Sequence, residues 1–398
     1  MFFSFRQLTR ILTSTALSNS FLVALSLLLA RTQPAEAYAD FAYAVSVFAI
    51  CSLLLDFGLN VSALKRQENS NNQDTPITFA SVKLFFAFLL SLFIISYVYY
   101  SGEALLESTI AVGLLCASFN NVWLAMRVDE QGRGDSKGFF KANLSLFGLR
   151  LICLTVTYLS NPSPVLYLLA LYVYPYILLF PLQRQLFLFN THLPIFWSNA
   201  KQIFSYSKWI FISALLFVLS AQIPLLSLGK PELSVDLATL GVAMTIASLS
   251  SWLSYSLKPF FIGRYLSSGT IEGAFNKVFI QFLVIMIPLT VAVYFIYRSA
   301  FGEQYPNVEI IGTVIFIYTS LVFILGLYNS QIHVSGRPEL EALVNMVRAS
   351  AVLFVMQYAE MSLLHLIMLV GLIMITMEVV LMKINFQLIK SKNENNTY

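Results

Sequence analysis

A succession of long apolar stretches constrains this chain more than any other feature of its sequence. Each is about 20 residues long, the length that a helix needs to cross the hydrocarbon core of a bilayer. The chain is 58% hydrophobic and only 11% charged, so it has too few polar side chains to cover a soluble protein of 398 residues. We predict an all-α polytopic membrane protein with about 12 transmembrane helices. The predicted spans lie near residues 11–30, 37–60, 77–100, 104–126, 142–160, 165–182, 209–228, 236–262, 278–298, 307–331, 340–359 and 362–389.

The middle of the chain interrupts this succession. Residues 183–208 mix apolar side chains such as Phe196 and Trp197 with basic ones such as Arg184 and Lys201. That mixture favours a helix lying in the membrane interface, and an ordinary cytoplasmic loop is the alternative. We therefore predict two lobes of about six helices each. The lobes are residues 1–182 and 209–398, the latter with a polar tail, and residues 183–208 form a cytoplasmic interfacial linker.

The basic residues set the orientation of the predicted spans. Lysines and arginines that flank a span are retained on the cytoplasmic side. If the N-terminus is cytoplasmic, only Arg31, Lys230 and Arg298 among the 24 lysines and arginines fall at outward ends. Both termini are therefore predicted to be cytoplasmic. The basic N-terminus and the apolar run after it also resemble a cleavable secretory signal, but this run is long enough to span the membrane.

Several function classes lack support in the sequence. There is no nucleotide-binding loop, no soluble domain and no acidic cluster of the kind that a metal-dependent transferase needs. Cys51, Cys116 and Cys153 each lie within an apolar span without metal-binding spacing, so we expect small buried side chains and no metal. The net charge of +4 follows from the orientation rule and does not indicate nucleic acid. We predict a transporter without a cofactor rather than an enzyme.

Charged and polar residues inside the spans are the candidate site residues. Arg150 lies within the span 142–160, and Asn143 is one heptad before it on the same face. A charge near the bilayer centre costs about 2.5 to 3.5 kcal/mol, so Arg150 needs an anionic partner or a hydrated cavity. A structural salt bridge to Asp40, Asp56 or Glu378 is the alternative.

Four further residues complete the candidate set. Arg348 occupies roughly the place in the second half that Arg150 has in the first, as expected of an internal repeat. Asn19 belongs to a polar stripe on the first span, which faces either a cavity or another helix. Lys83 lies about two turns into its span, where its long stem also allows it to snorkel to the interface. Lys258 lies toward the cytoplasmic end of the span 236–262.

The span 165–182 is rich in tyrosine and proline. Pro175 and Pro181 predict a bent helix, because proline removes a backbone donor. Tyrosines are frequent at membrane interfaces, so Tyr172, Tyr174 and Tyr176 are interpreted as part of an aromatic belt. Stacking on sugar rings is the alternative.

Short motifs resemble those of a known family. An aromatic and small-residue opening at Tyr38–Tyr43 is followed by Leu55-Asp-Phe-Gly-Leu-Asn60 and a basic pair, Lys65-Arg66. Later come a proline at 259, the turn Phe301-Gly-Glu-Gln-Tyr305 and a Gly-Arg pair at 336–337. These motifs resemble those of bacterial polysaccharide exporters of the oligosaccharide-flippase (Wzx-like) type. That family belongs to the multidrug, oligosaccharidyl-lipid and polysaccharide exporter superfamily.

The resemblance implies a function and partners. Such exporters have 12 helices in two lobes around a central cleft that opens alternately to either side, and the resemblance implies the same arrangement for this chain. Flippases of this type move polyprenyl-diphosphate-linked oligosaccharide repeat units across the bacterial inner membrane for O-antigen or capsule synthesis. The implied partners are this lipid-linked oligosaccharide, membrane lipids and other membrane proteins of glycan assembly.

The same resemblance gives the candidate residues their roles. A hydrated cleft lined by cationic side chains attracts a diphosphate far better than an apolar groove does. We expect diphosphate contacts from Arg150 and Arg348, with assistance at the cytoplasmic mouth and cleft from Lys83, Lys258, Asn143 and Asn19. An ion-coupled multidrug antiporter of the same fold would instead use cleft carboxylates. A membrane-embedded glycan polymerase or acyltransferase would need a long outward loop with paired catalytic residues, which the sequence lacks.

Overall fold

The computed structural model describes residues 20–56, 89, 92, 93, 96, 99, 100, 108–132, 136–160, 162–179, 193–229, 233–248, 272–329, 332, 337–358 and 361–395. Nearly all of these residues are helical, and no strand occurs among them. The predicted all-α fold class is confirmed.

The helices follow the apolar stretches of the sequence. In the first part of the chain they are α1 (Ser20–Thr32), α2 (Ala35–Asp56), α3 (Thr109–Gly132), α4 (Ser136–Leu159), a 3-10 turn (Pro164–Leu166), α5 (Tyr167–Tyr172) and α6 (Tyr174–Leu179). In the second part they are α7 (Leu193–Ser227), α8 (Ser234–Ser248), α9 (Glu272–Phe301), α10 (Val308–Asn329), α11 (Pro338–Tyr358) and α12 (Leu363–Asn395).

Many of these helices suit a membrane. Within the described part of the chain, six helical segments are long and apolar enough to cross a bilayer: Ala35–Asp56, Phe140–Leu159, Lys208–Ser227, Phe279–Phe301, Val308–Asn329 and Leu363–Leu388. Shorter apolar helices cover Ser20–Thr32, Thr109–Trp123, Pro164–Leu179 and Ser234–Ser248. Large apolar side chains such as Val284 and Ile287 on α9 are 65% and 71% exposed, which suits contact with lipid. This is the helix set of a multi-pass membrane protein, as predicted.

The second part of the predicted linker is helical. Residues from Leu193 onward continue without a break into the next apolar span, so that α7 has 35 residues and is about 52 Å long at ~1.5 Å per residue. From Leu193 the segment is thus a helix rather than a loop. Its interfacial role stays a prediction.

The chain divides into two compact units. One comprises Met1–Leu25 and Asp40–Leu215, and the other comprises Ser26–Ala39 and Leu216–Tyr398. The second unit therefore begins within α7 and also takes in the turn between α1 and α2. The predicted lobe boundaries at 182 and 209 stay a prediction.

The core of the second unit is built around α10. A side chain at Gly312 would overlap the ring of Tyr297, so α9 approaches α10 closely at this glycine. A Cβ atom at Gly371 would lie 2.8 Å from the Tyr318 ring, which brings α12 equally close. The hydroxyl of Tyr297 donates to the carbonyl oxygen of Ala243 at 2.6 Å and so ties α9 to α8.

Candidate functional site

Three charged side chains are buried in the described part of the chain. Arg150 is 4% exposed, Arg348 is 0% exposed and Glu378 is 4% exposed. A buried charge is strongly destabilising unless it is paired or hydrogen-bonded. The contacts of these residues therefore define the polar interior of each unit.

Arg150 lies within α4 and binds residues of the broken helix that follows it. Its Nε donates to the carbonyl oxygen of Leu171 at 2.9 Å, and its Nη2 donates to the hydroxyl of Tyr176 at 2.8 Å. The Tyr176 hydroxyl in turn donates to Oδ1 of Asn120 in α3 at 3.1 Å. Arg150 thus connects α4 with α5 and α6, and through Tyr176 with α3.

The proline of the predicted bend explains why the Leu171 carbonyl is available. In a continuous helix this carbonyl would accept the backbone N–H of the residue four positions later, which here is Pro175 and has none. The helix is interrupted at Val173, whose φ and ψ are −115° and −62°. The bend predicted from Pro175 is therefore present, and Arg150 supplies the missing donor. Pro181 lies outside the described residues.

Aromatic rings enclose the Arg150 guanidinium. Its Cζ lies 5.1 Å from the centroid of the Tyr172 ring and 5.7 Å from that of Tyr176. Trp123 stacks on Tyr176 with ring centroids 5.4 Å apart. Aromatic faces at these distances stabilise a desolvated cation.

The aromatic-belt interpretation is wrong for two of the three tyrosines. Tyr172 and Tyr176 are buried, whereas Tyr174 is 43% exposed. Positions four apart share a helix face and the position between them lies opposite. That spacing, together with the arginine within the preceding span, is the sequence signal that could have identified Tyr172 and Tyr176 as contacts of Arg150.

Arg348 lies within α11 and forms an ion pair. Its Nη2 donates to Oε1 of Glu378 in α12 at 2.7 Å. Nδ2 of Asn329, the last residue of α10, donates to Oε2 of Glu378 at 2.6 Å and to its backbone oxygen at 3.1 Å. The Arg348 guanidinium also lies 5.1 Å from the centroid of the Phe217 ring in α7. Within the described residues, Nε and Nη1 of Arg348 have no hydrogen-bond partner.

The two clusters are built alike. In each unit a buried arginine binds a side chain on a later helix, α6 in the first unit and α12 in the second, and that side chain binds an asparagine on the helix before the arginine. The central partner is a phenol, Tyr176, in the first unit and a carboxylate, Glu378, in the second. The internal repeat predicted from Arg150 and Arg348 therefore extends to their hydrogen-bond partners.

The structure places the other candidate residues as follows. Asn143 is buried on α4, one heptad before Arg150. Arg150 belongs to the first unit and Arg348 to the second. Glu378, which the sequence offered as a partner of Arg150, binds Arg348, while Asp40 is exposed on α2. Asn19, Lys83 and Lys258 lie outside the described residues.

The cysteines and acidic residues form no metal site in the part of the chain that the structure covers. Cys116 and Cys153 are buried, Cys51 is half-buried, and all three are free thiols. The described residues include no group of three or more metal-binding side chains.

Solved transporters share this fold. A multidrug resistance MATE family transporter of the MOP superfamily, in an inward-facing conformation, matches with a TM-score of 0.67 and 13% identity over 96% of each chain. A mutant of the MATE transporter VcmN of Vibrio cholerae matches with a TM-score of 0.64 and 13% identity over 97% of this chain and 96% of its own. A MATE transporter in an outward-facing conformation matches with a TM-score of 0.60 and 13% identity over 98% of this chain and 96% of its own. Identities this low show a common fold.

No protein-family model matches the sequence, and no curated protein aligns with it significantly.

Proposed function

We propose that this chain is a membrane transporter of the MOP superfamily type that carries an organic solute across the bacterial inner membrane by alternating access. One observation carries the proposal: the fold agrees with MATE transporters over 96% of both chains, and those relatives include inward-facing and outward-facing forms. A fold hosts more than one function, so the substrate has to be argued from the residues. The predicted orientation, with both termini in the cytoplasm, is part of this proposal.

Among substrate classes, ion-coupled multidrug antiport has the broader support from the comparisons. Two of the matching structures are described as multidrug resistance transporters. Antiport of a cationic drug requires a carboxylate that binds the drug and the coupling ion in turn. The ion pair with Arg348 occupies Glu378, which leaves Asp40, exposed on α2, and Asp56, half-buried at the end of the same helix, as the candidate carboxylates; we assign the role to Asp40.

Flipping of a polyprenyl-diphosphate-linked oligosaccharide is the second candidate, and one observation favours it. The charged side chains buried in the described interior are two arginines and one glutamate, and because Arg348 and Glu378 form an ion pair, the net charge of the three is that of one cation. Cationic groups favour a phosphorylated substrate over a cationic one. The exporter-like motifs of the sequence agree with this alternative. Arg150, Arg348, Lys83, Lys258, Asn143 and Asn19 stay the proposed contacts.

One pair of assays distinguishes the two candidates. The full chain is produced in a bacterium that lacks its own drug exporters, and efflux of a fluorescent cationic dye is followed with and without an ionophore. In parallel it is produced in a strain that lacks its oligosaccharide flippase, and surface polysaccharide is measured. Ionophore-sensitive efflux supports antiport, and restored polysaccharide supports the flippase.

Two acidic residues of α2 provide matched variants for the antiport assay. Under antiport, Asp40→Asn abolishes efflux while Glu36→Gln, an acidic-to-amide change in the first turn of the same helix, has little effect. If neither assay responds to the membrane-inserted protein, both substrate assignments are wrong.

A further inference from the structure

Helix α11 of the second unit differs from the helices that flank it in the sequence. With 21 residues it is long enough to cross a bilayer, yet it is not among the six described segments that are also apolar enough. Its neighbours α10 and α12 both contain such a segment. Arg348 lies in the middle of α11, where a charge is costly in a membrane span. By itself, α11 is therefore a poor membrane span.

The polar residues of α11 share one face. Glu341, Asn345 and Arg348 are four and three positions apart, so they lie along one side of the helix over about 10 Å at ~1.5 Å per residue. Asn345 and Arg348 are both buried. Leu343 and Phe354 lie on the opposite face and are 56% and 64% exposed, which suits lipid. The helix is thus stable in a membrane only when protein covers its polar face.

Helix α12 covers this face and supplies the counter-charge. Nη2 of Arg348 donates to Oε1 of Glu378 at 2.7 Å, and this is the one hydrogen bond that Arg348 makes with a described residue. Val344, four positions before Arg348, packs with Leu381 of α12 in one buried cluster. The ring of Phe217 in α7 also contacts the guanidinium, but it carries no charge. Among the described contacts of Arg348, only that with α12 neutralises its charge.

The counter-charge comes late in the chain, because Glu378 follows Arg348 by 30 positions. During synthesis, α11 therefore leaves the ribosome before the carboxylate that pairs with its arginine. Helix α10 is made earlier but does not replace this partner, since Asn329 binds Glu378 and not Arg348. Helix α12 is apolar over Leu363–Leu388 and approaches α10 closely at Gly371. Its own place in the membrane thus does not require α11.

We propose that α11 does not enter the bilayer by itself but inserts together with α12, as a helical hairpin with the Arg348–Glu378 ion pair inside it. A lone buried charge is far more costly than a paired one, so insertion as a pair avoids the state with an unpaired arginine. Only residues 359–362 separate the two helices, which makes them neighbours once both have been synthesised. The inference concerns the second unit alone and does not depend on the transported substrate.

Labelling of the connection between α11 and α12 tests the proposal in the full chain. Met361→Cys, at a position 54% exposed between the two helices, is introduced after Cys51, Cys116 and Cys153 have been replaced by alanine. If both helices span the membrane in the predicted orientation, the new cysteine lies on the outer side. It then reacts with a membrane-impermeant maleimide in spheroplasts. Chains made in a short radioactive pulse are analysed, and their reaction is compared with that after detergent is added.

The ion pair supplies the decisive variants. Glu378→Gln leaves Arg348 without its counter-charge, and we expect the outward-reactive fraction to fall about fivefold or more. Adding Arg348→Met should restore this fraction, because α11 then has no cation in its middle. Arg348→Met alone should also react fully, since Glu378 lies in a segment that is apolar enough to span. Asn329→Leu is the control, because it removes a bond to the same carboxylate but keeps the ion pair.

Two results would overturn the proposal. One is a Glu378→Gln chain that reacts from the outside as the parent chain does, even where the purified variant is less stable. The ion pair would then stabilise the folded protein without acting in membrane insertion. The other is an equal loss of reaction in Glu378→Gln and Asn329→Leu, because the loss would then follow from any change in the cluster.

Discussion

Nε of Arg150 donates a hydrogen bond to the carbonyl oxygen of Leu171 at 2.9 Å. The helix itself provides no backbone donor for this carbonyl. The donor expected from the helical pattern is the backbone N–H of residue 175, and proline has none. The buried arginine of α4 and the bend between α5 and α6 therefore depend on each other. This relationship explains a charge within an apolar helix without assigning it to a substrate.

A double-mutant cycle tests the dependence of Arg150 on Pro175. Arg150→Met leaves the Leu171 carbonyl unsatisfied, and we expect it to lower the free energy of unfolding by about 1 to 3 kcal/mol. In a Pro175→Ala background the loss should be smaller, because the alanine N–H can bind Leu171. Denaturant unfolding in detergent gives the four free energies that the cycle needs. Additive effects would show that the two residues are independent.

The hydroxyl of Tyr176 links Arg150 to Asn120. Tyr176→Phe keeps the ring on Trp123 but removes both hydrogen bonds, one of them from a charged donor. We expect a loss of about 1.5 to 3 kcal/mol in the free energy of unfolding. Tyr174→Phe is the control, because Tyr174 is exposed, and its effect should stay within about 0.5 kcal/mol. Equal effects of the two changes would contradict the assigned bonds.

The ion pair between Arg348 and Glu378 predicts a difference in stability between a single and a double variant. Glu378→Gln leaves a buried guanidinium without its counter-charge, which should lower stability by about 3 to 5 kcal/mol. Replacing both residues, as Arg348→Met with Glu378→Leu, should be far better tolerated, because two charges are removed together. Thermal unfolding of the purified variants measures the difference. Wild-type stability of Glu378→Gln would show that the ion pair does not stabilise the fold.

Two glycines of α10 differ in the space around them. A side chain at Gly312 would overlap the Tyr297 ring, so Gly312→Ala should cost about 1 to 3 kcal/mol of stability. A Cβ atom at Gly326 would meet none of the described residues within 4 Å, and Gly326→Ala should be neutral or stabilise the helix by up to about 1 kcal/mol. The order of the two melting temperatures checks the prediction. A Gly312→Ala variant as stable as Gly326→Ala would refute the close packing of α9 on α10.

The role of Arg150 in transport is a separate question from its role in folding. If the chain is a flippase, Arg150→Ala should leave lipid-linked repeat units facing the cytoplasm. Lys141→Ala, at an exposed position of the same helix, should transport normally. Lipid-linked intermediates and surface polysaccharide are compared at equal amounts of inserted protein. Normal polysaccharide in the arginine variant would exclude Arg150 as a required contact.

The candidate site was predicted in part. A charge within an apolar span can be found from the sequence, because hydropathy is local, and both Arg150 and Arg348 are indeed buried. Their partners were not found. Glu378 was considered as a partner of Arg150, but it forms an ion pair with Arg348. Tyr176 was interpreted as a residue of the membrane interface, but its hydroxyl accepts a hydrogen bond from Arg150. Each pairing depends on how the helices pack, which hydropathy does not encode.

By itself, the sequence determined the class of protein and most helices, because a run of about 20 apolar residues in a bilayer must satisfy its backbone groups internally. It also located the bend, since Pro175 removes a donor wherever it lies. Only the tertiary structure decided which side chains meet. The Ser26 hydroxyl lies 2.8 Å from that of Thr245, a residue 219 positions later in the chain. Such contacts arise when helices distant in sequence pack together, and no local pattern contains them.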